Sequence, residues 1–308
     1  MKLLWIEAIA KIANASPLGI IAMKIKIFIT LLMMSIQSFA MDTTEIVLPL
    51  TFSTQGFPIA AIQIQGNTIP LIFDNGASHT TITLSKELVK KFNLKLTPTN
   101  KKTCFHDDTG KKTCLKIYTV PELKIGQITM HNVPCQLIDK LWGGHYDEGF
   151  LWFEAAKNGV IGLDLLRQFN VLVDYKNSRV ILNKLGEYPQ QYDIKSWIRV
   201  PVSNEYGMTM GVKINGTDAK IVFDTGSNNS IIKATAKILA GKKSCESNYE
   251  PSCYFETTTF MVGDQPLPKT RFAIQKDEFP FDGLIGSDFF KAHQVFFDFK
   301  NSLIFIKP

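Results

Sequence analysis

At 308 residues, with 45% hydrophobic and 20% charged side chains, the chain is long enough for two domains and too apolar for intrinsic disorder. Part of its formal charge of +6 sits in the first 40 residues, where Lys2, Lys11, Lys24 and Lys26 face only Glu7. No dense Lys/Arg cluster follows, which argues against nucleic acid as a partner.

The N-terminus reads as an export signal spanning residues 1–40. Met23-Lys24-Ile25-Lys26 is a short basic region, Ile27 to Ile36 an apolar run, and Ser38-Phe39-Ala40 offers small residues at a cleavage site. The run is short for a bilayer span, so an uncleaved anchor is the rival reading. The true start is Met1 or Met23. No later apolar segment reaches spanning length, so the expected product is periplasmic or secreted, with no membrane contact after signal removal.

Next comes a strand–turn–strand pattern. Ala61-Ile62-Gln63-Ile64 alternates, Gln65-Gly66 turns, and Leu71-Ile72-Phe73 runs apolar into Asp74-Asn75-Gly76-Ala77-Ser78. Leu84 to Phe92 follows with helical spacing of Leu84, Leu88, Val89 and Phe92. Cys104 and Cys114 then bracket a turn at Thr109-Gly110. With Cys245 and Cys253 they form two short-range pairs, which suit disulfides in an oxidising compartment. Metal binding is the rival reading, but the spacings do not resemble zinc knuckles and His106 is weak support, so no metal is expected. Cys135 is left over as a buried thiol. The aromatic stretch Trp142 to Phe153 has two open readings, a lid over a cleft or extra core.

Gly159-Val160-Ile161-Gly162-Leu163-Asp164 follows, with a helical turn expected over Leu165 to Phe169, then the strand Val171-Leu172-Val173-Asp174 and a last strand at Val180-Ile181-Leu182. Beyond residue 190 the whole order recurs. Gly211-Val212-Lys213-Ile214-Asn215-Gly216 leads to Ile221-Val222-Phe223-Asp224-Thr225-Gly226-Ser227. A short helix is expected at Thr235 to Ala240. Gly283-Leu284-Ile285-Gly286-Ser287-Asp288 precedes a helical turn over Phe289 to His293 and the strands Val295 to Phe299 and Leu303 to Ile306. Repetition of this kind predicts two lobes, 41–190 and 191–308. From Asp74 to Asp224 is 150 residues and from Gly162 to Gly286 is 124, so lobe 1 carries 26 more between its two motifs. The repeated Asp164, Asp174, Asp288 and Asp298 read as turn chemistry or solvated strand ends.

An isolated Asp-Thr-Gly is ordinarily a surface turn. Here each Asp leaves an apolar strand, and a charge at that depth costs several kcal/mol unless compensated. Two such carboxyls facing each other across a twofold share one proton, one acting as base and the other as acid.

These residues resemble the retropepsin-like and pepsin-like aspartic proteases. Asp74-Asn75-Gly76-Ala77-Ser78 and Asp224-Thr225-Gly226-Ser227 look like the family's active-site turns, and Ile161-Gly162 and Ile285-Gly286 like the paired element packed behind them. The resemblance covers nearly all of 45–308. It implies an all-β fold of two lobes about a pseudo-twofold with short helices, and Asp74 and Asp224 activating water against a peptide bond. It also implies no metal or organic cofactor, a peptide or protein substrate, and a monomer with an intramolecular lobe pair. A flap hairpin is expected near Cys104 to Tyr118 and again near Tyr254 to Met261. Tyr118 and Tyr254 read as substrate-facing or as structural strand aromatics. The departure is Asn75, where the family has Thr or Ser. Its amide is bulkier than a hydroxyl, which leaves a non-catalytic peptide- or protein-binding module as the alternative, and lobes pairing with another chain as a third reading. Ser227 against Ala77 gives a second asymmetry. A hydroxyl donating to Asp224 makes that group the expected ionised partner, with Ser78 a rival donor in lobe 1.

Overall fold

The computed structural model describes residues 45–106, 112–138, 157–239, 253–275 and 279–307. The leader, the Thr109-Gly110 turn, the Trp142–Phe153 stretch and Cys245 lie outside these. Among the described residues no helix is long and apolar enough to cross a membrane.

Lobe 1 runs β1 (Glu45–Phe52), β2 (Pro58–Ile64), β3 (Asn67–Phe73), β4 (Ile82–Ser85), α1 (Lys86–Lys91), β5 (Thr97–His106), β6 (Lys112–Ile125) and β7 (Ile128–Ile138). It closes with β8 (Gly159–Ile161), α2 (Leu163–Leu166), β9 (Phe169–Asp174) and β10 (Arg179–Lys184). Lobe 2 runs β11 (Ile198–Pro201), β12 (Met208–Ile214), β13 (Thr217–Phe223), β14 (Ile231–Lys233), β15 (Tyr254–Glu256), β16 (Phe260–Val262) and β17 (Gln265–Pro266). It ends with β18 (Arg271–Gln275), β19 (Gly283–Ile285), α3 (Ser287–Ala292), β20 (Val295–Asp298) and β21 (Leu303–Ile306). The protein is all-β, with helices of one or two turns.

The hairpins β2–β3 and β12–β13 are the expected repeats. Each turns through two left-handed residues, Gln65 and Gly66 (φ 49° and 79°) and Asn215 and Gly216 (φ 50° and 82°). Two consecutive positive φ angles define the tight turn whose twist matches antiparallel strands. Along β3 and β13 burial alternates and then becomes continuous over the last three residues before each Asp. There the strand gains a second neighbour, since β8 runs parallel beside Ile72 and Phe73, and β19 beside Ile221, Val222 and Phe223. An apolar triplet is what a strand buried on both faces requires.

The helical expectations shift at their edges. Leu84 belongs to β4, paired with Leu137, and α1 starts after Ser85, whose hydroxyl accepts from Leu88 N–H at 3.2 Å. Residues Lys237–Leu239 form a single 3₁₀ turn, in place of a helix from Thr235. Phe169 opens β9, so the helical turn before it ends at Leu166.

The lobes meet in a six-stranded antiparallel sheet ordered β11-β21-β20-β9-β10-β1. The order reads the same from either end once lobes are exchanged, so the pseudo-twofold passes between β9 and β20, close to the Leu172–Phe296 pair. Glu45 to Pro308 accordingly forms one compact unit.

Asp174 and Asp298 correct the expectation of solvated strand ends. Both side chains are fully buried on this sheet. Turn chemistry is present, with Asn177 Nδ2 donating to Asp174 at 2.8 Å and Asn301 Nδ2 to Asp298 at 2.8 Å. Asp298 also accepts across the twofold, from Asn170 Nδ2 at 3.3 Å, and Gln294 lies beside Asp174 in the corresponding place. The segment joining the lobes supplies a phenol to each, Tyr188 to Asp298 at 2.8 Å and Tyr192 to Asp174 at 3.1 Å. Arg179 Nε adds an ion pair to Asp174 at 3.0 Å. Asp164 instead lies 3.8 Å from Arg167, and Asp288 accepts from Ser230 Oγ at 2.8 Å.

Burial raises the Asp174 carboxyl, but donors Asn177, Gln294, Arg179 and Tyr192 outweigh it and hold it below its ordinary value. A depressed group contributes stability above its unfolded value, near 4, and that stability is lost as pH falls through the lower folded value. The unfolding temperature is therefore expected to drop more steeply with acid below about pH 4 in the native protein than in Asp174→Asn. Parallel pH profiles for the two proteins would show that this network does not hold the lobes together.

Cys104 and Cys114 are bridged, with 4.1 Å between Cα atoms, and lie directly opposite each other on β5 and β6. Cys253 is also disulfide-bonded, while Cys135 is a buried free thiol, as expected.

Candidate active site

Asp74 and Asp224 stand at the ends of β3 and β13, where each backbone N–H donates to the neighbouring Ile-Gly element. Asp74 N–H reaches Ile161 O at 3.0 Å, and Asp224 N–H reaches Ile285 O at 2.9 Å. The glycines of these elements are set by space. A Cβ on Gly162 would strike Thr80 O, and one on Gly286 would strike Asn229 O, each well inside 3.0 Å. Two loops thereby pass close behind each Asp turn, and any side chain would push them apart.

The two turns interdigitate. A Cβ on Gly76 would fall inside 3.0 Å of the Asp224 carboxyl, and one on Gly226 would do the same to Asp74. Each turn cradles its own carboxylate through backbone donors: Gly76 N–H at 2.8 Å and Ala77 N–H at 3.0 Å to Asp74, and Gly226 N–H at 2.8 Å to Asp224. The two carboxyl groups therefore meet at the junction of the turns, close enough to couple.

Electrostatics follow from this geometry. Burial raises both carboxyls above the usual range. The negative charge of Asp224 pushes Asp74 further in the same direction. Gly226 N–H, the neighbouring Asp74 carboxyl and Ser227 N–H offset part of the burial at Asp224. Two carboxyls this close cannot both ionise, and the proton belongs to the pair.

The cause expected for an asymmetry between the two carboxyls, a hydroxyl donated by Ser227, is not found. The Ser227 hydroxyl donates to Asn229 O at 2.7 Å and not to the Asp224 carboxylate. Backbone N–H groups, Gly226 first and then Ser227, favour charge on Asp224, which leaves Ser227→Ala without the pH effect the hydroxyl reading implied.

Asn75 fits the junction. Thr225 Oγ1 accepts from Asn75 N–H at 2.9 Å and donates to Phe73 O at 3.1 Å. In return Asn75 Oδ1 accepts from Thr225 N–H at 2.7 Å, so the amide oxygen substitutes for a hydroxyl in half of the lock. Its Nδ2 is buried without a partner, a cost of about 1–3 kcal/mol for such a donor. The departure at Asn75 weakens the lock without opening the dyad.

The lobe 1 flap expectation corresponds to the long hairpin β5–β6, in which Tyr118 is a half-buried strand residue paired with Cys135. Leu115 on this hairpin packs on the same apolar cluster as Ala77 of the Asp74 turn, alongside Phe57, Ile72, Ile138 and Val160. In lobe 2, Tyr254 to Met261 is not a hairpin: β15 pairs with β18, while β16 pairs with β12 and β17. Tyr254 is exposed, with the Arg271 guanidinium 4.0 Å from its ring centroid.

Ser287 was missed. It is fully buried, and its hydroxyl donates to Thr225 O at 3.3 Å, behind the second turn. Comparing the repeats could have found it, because Ser287 aligns with Leu163 and a polar residue there is unpaired in lobe 1.

The model of an aspartyl protease family matches residues 60–165, the stretch with the Asp74 turn and Ile161-Gly162. A search among curated proteins gave no match. That stretch is thus similar to aspartyl protease domains, which supports a hydrolase of that general kind.

Proposed function

We propose that the protein is an exported aspartic endopeptidase whose single site is assembled from Asp74 of lobe 1 and Asp224 of lobe 2. The observation that carries this reading is the interdigitation of the two turns, in which the Cβ positions of Gly76 and Gly226 fall on the carboxyls of Asp224 and Asp74, so that the two carboxyls meet. The charged Asp224 takes a proton from a water held between the pair, the resulting oxygen nucleophile attacks the peptide carbonyl, and Asp74 donates its proton to the developing oxyanion. Collapse of the tetrahedral intermediate then returns a proton to the leaving amine. The β5–β6 hairpin supports the reading as a cover for the substrate, since Leu115 already packs on the apolar cluster beside the Asp74 turn. Export rests on the leader sequence, and the exposed Cys104–Cys114 bridge suits an oxidising compartment. The test is hydrolysis of an unfolded protein across pH 3–8, with product termini mapped and a peptide carrying a tetrahedral hydroxyl in place of the scissile carbonyl as inhibitor. Cleavage blocked by that inhibitor supports the proposal. Saturable peptide binding without cleavage at any pH rejects it in favour of a binding module.

A further inference from the structure

Lobe 2 carries a cavity of about 690 Å³ in which neither carboxyl of the dyad takes part. Its floor is the outward face of the β12–β13 hairpin, and its walls are the end of β14, the residues after it, the β16–β17 turn and the loop before β19. The two lobes differ sharply here. Gly211, Lys213, Asp218 and Lys220 stand where lobe 1 has Ala61, Gln63, Thr68 and Pro70. Lys233 stands where lobe 1 has Ser85, since Lys233 N–H donates to Asp282 O at 2.8 Å as Ser85 N–H does to Asn158 O at 3.1 Å. At these six places lobe 1 has no charge, whereas lobe 2 has three ammoniums and two carboxylates. Gly211 and Gly263 open onto the space, for a Cβ at either would meet nothing within 4 Å. Ser85 caps α1, but after Lys233 the chain makes the single 3₁₀ turn Lys237–Leu239, and Lys237 adds a fourth ammonium.

The charges do not cancel. Lys220 Nζ is taken by Glu205 at 3.0 Å, and Lys213 Nζ lies 3.9 Å from Asp218 in a solvent-exposed pair of little worth. Asp282 Oδ2 is committed to Lys220 N–H at 2.8 Å. Lys233 is half-buried, and its Nζ donates to Phe279 O at 3.0 Å, a neutral partner held by the Phe279–Phe281 ring stack at 4.5 Å. Among the described residues no carboxylate pairs with Lys233 or Lys237. An ammonium has three hydrogens to donate, so Lys233 is fixed by one and offers the others to an anion.

We infer that this cavity binds a small organic phosphate, such as a sugar phosphate, with Lys233 and Lys237 on the phosphate and Asp218 on a hydroxyl of the body attached to it. Its volume is within the range of small-molecule sites, about 300–1,000 Å³. Lysine serves phosphate as a point charge, and two of them match the near-double charge of a phosphate monoester. Asp218 decides against a longer polyanion. Its side chain is 89% exposed at the rim, where it repels further negative groups and accepts from neutral hydroxyls. The site is independent of the proposed hydrolysis, because no dyad residue lines it.

The test is titration of the labelled full chain with glucose 6-phosphate and with inorganic phosphate at constant ionic strength, read on the amide signals of Gly211 and Gly263. Saturable shifts at both glycines are expected with glucose 6-phosphate, with a Kd of about 1 mM or tighter. Inorganic phosphate, which lacks the hydroxylated body, binds more weakly at the same place. Lys233→Met keeps the alkyl stem, and Lys237→Gln changes a fully exposed side chain, so both fold. Each is expected to weaken binding by about tenfold or more, the loss of one charge-assisted hydrogen bond. Lys195→Gln, an exposed lysine of the segment joining the lobes, leaves it unchanged. No saturable shift with either phosphate overturns the inference, as does equal binding by native protein and Lys233→Met. Binding of a hexaglutamate peptide or of phosphatidic acid vesicles at these glycines, without binding of glucose 6-phosphate, overturns it in favour of a docking surface for an acidic protein or a membrane. Asp74→Asn is expected to bind glucose 6-phosphate as the native protein does, so failure of the proposed hydrolysis and failure of this site are read separately.

Discussion

Asp74→Asn and Asp224→Asn are each expected to lower kcat/KM for peptide hydrolysis by about 10⁴-fold or more. General acid–base catalysis alone contributes about 10²–10⁴-fold, and a dyad that shares one proton loses both roles when either carboxyl goes. Folding should survive. In Asp74→Asn the amide oxygen can still accept from Gly76 and Ala77 N–H, while its NH₂ can donate toward Asp224. Removing a carboxyl also relieves the burial and repulsion that raise both groups, so the unfolding temperature at neutral pH should hold or rise. Steady-state kinetics beside calorimetry decides the matter. Either variant within tenfold of native turnover would falsify the two-carboxylate mechanism.

Gly76→Ala and Gly226→Ala are expected to be nearly as damaging by a different route. Neither glycine has a positive φ, so backbone freedom is not what these positions need. They need space, since the added methyl would land on the carboxyl of the opposite lobe. The turns must then separate, and a displacement near 1 Å in a catalytic constellation costs about 10²-fold in rate. Overpacking of this kind costs about 1–3 kcal/mol in stability as well. Gly211→Ala on β12 is the control, because nothing lies within 4 Å of its Cβ position. Native kinetics and an unchanged melting temperature in Gly76→Ala would mean that the turns do not meet as described.

Much of the site was legible because it is written in short repeated words. An apolar triplet before Asp, glycine two residues after it, and Ile-Gly downstream each reflect a local demand: strand burial, a turn without a side chain, a close crossing of loops. Such demands fix residue type at fixed spacing, so reading the two halves of the chain against each other exposes Asp74 and Asp224 as a pair. The cysteine spacing likewise announced the Cys104–Cys114 bridge across adjacent strands. What the sequence could not decide was where each polar atom points. Whether Ser227 reaches a carboxylate or Asn229 O depends on a side-chain rotation set by neighbours. Whether Asn75 breaks the lock or fills it depends on Thr225, 150 residues away. Asp174 and Asp298 look like ordinary turn residues until the lobes close over them and supply Gln294, Asn170 and the two linking tyrosines. Local spacing specifies strands, turns and the chemical groups they carry. Hydrogen-bond partners and proton positions are properties of the packed twofold, where burial makes every unpaired polar atom costly and so selects one arrangement among many.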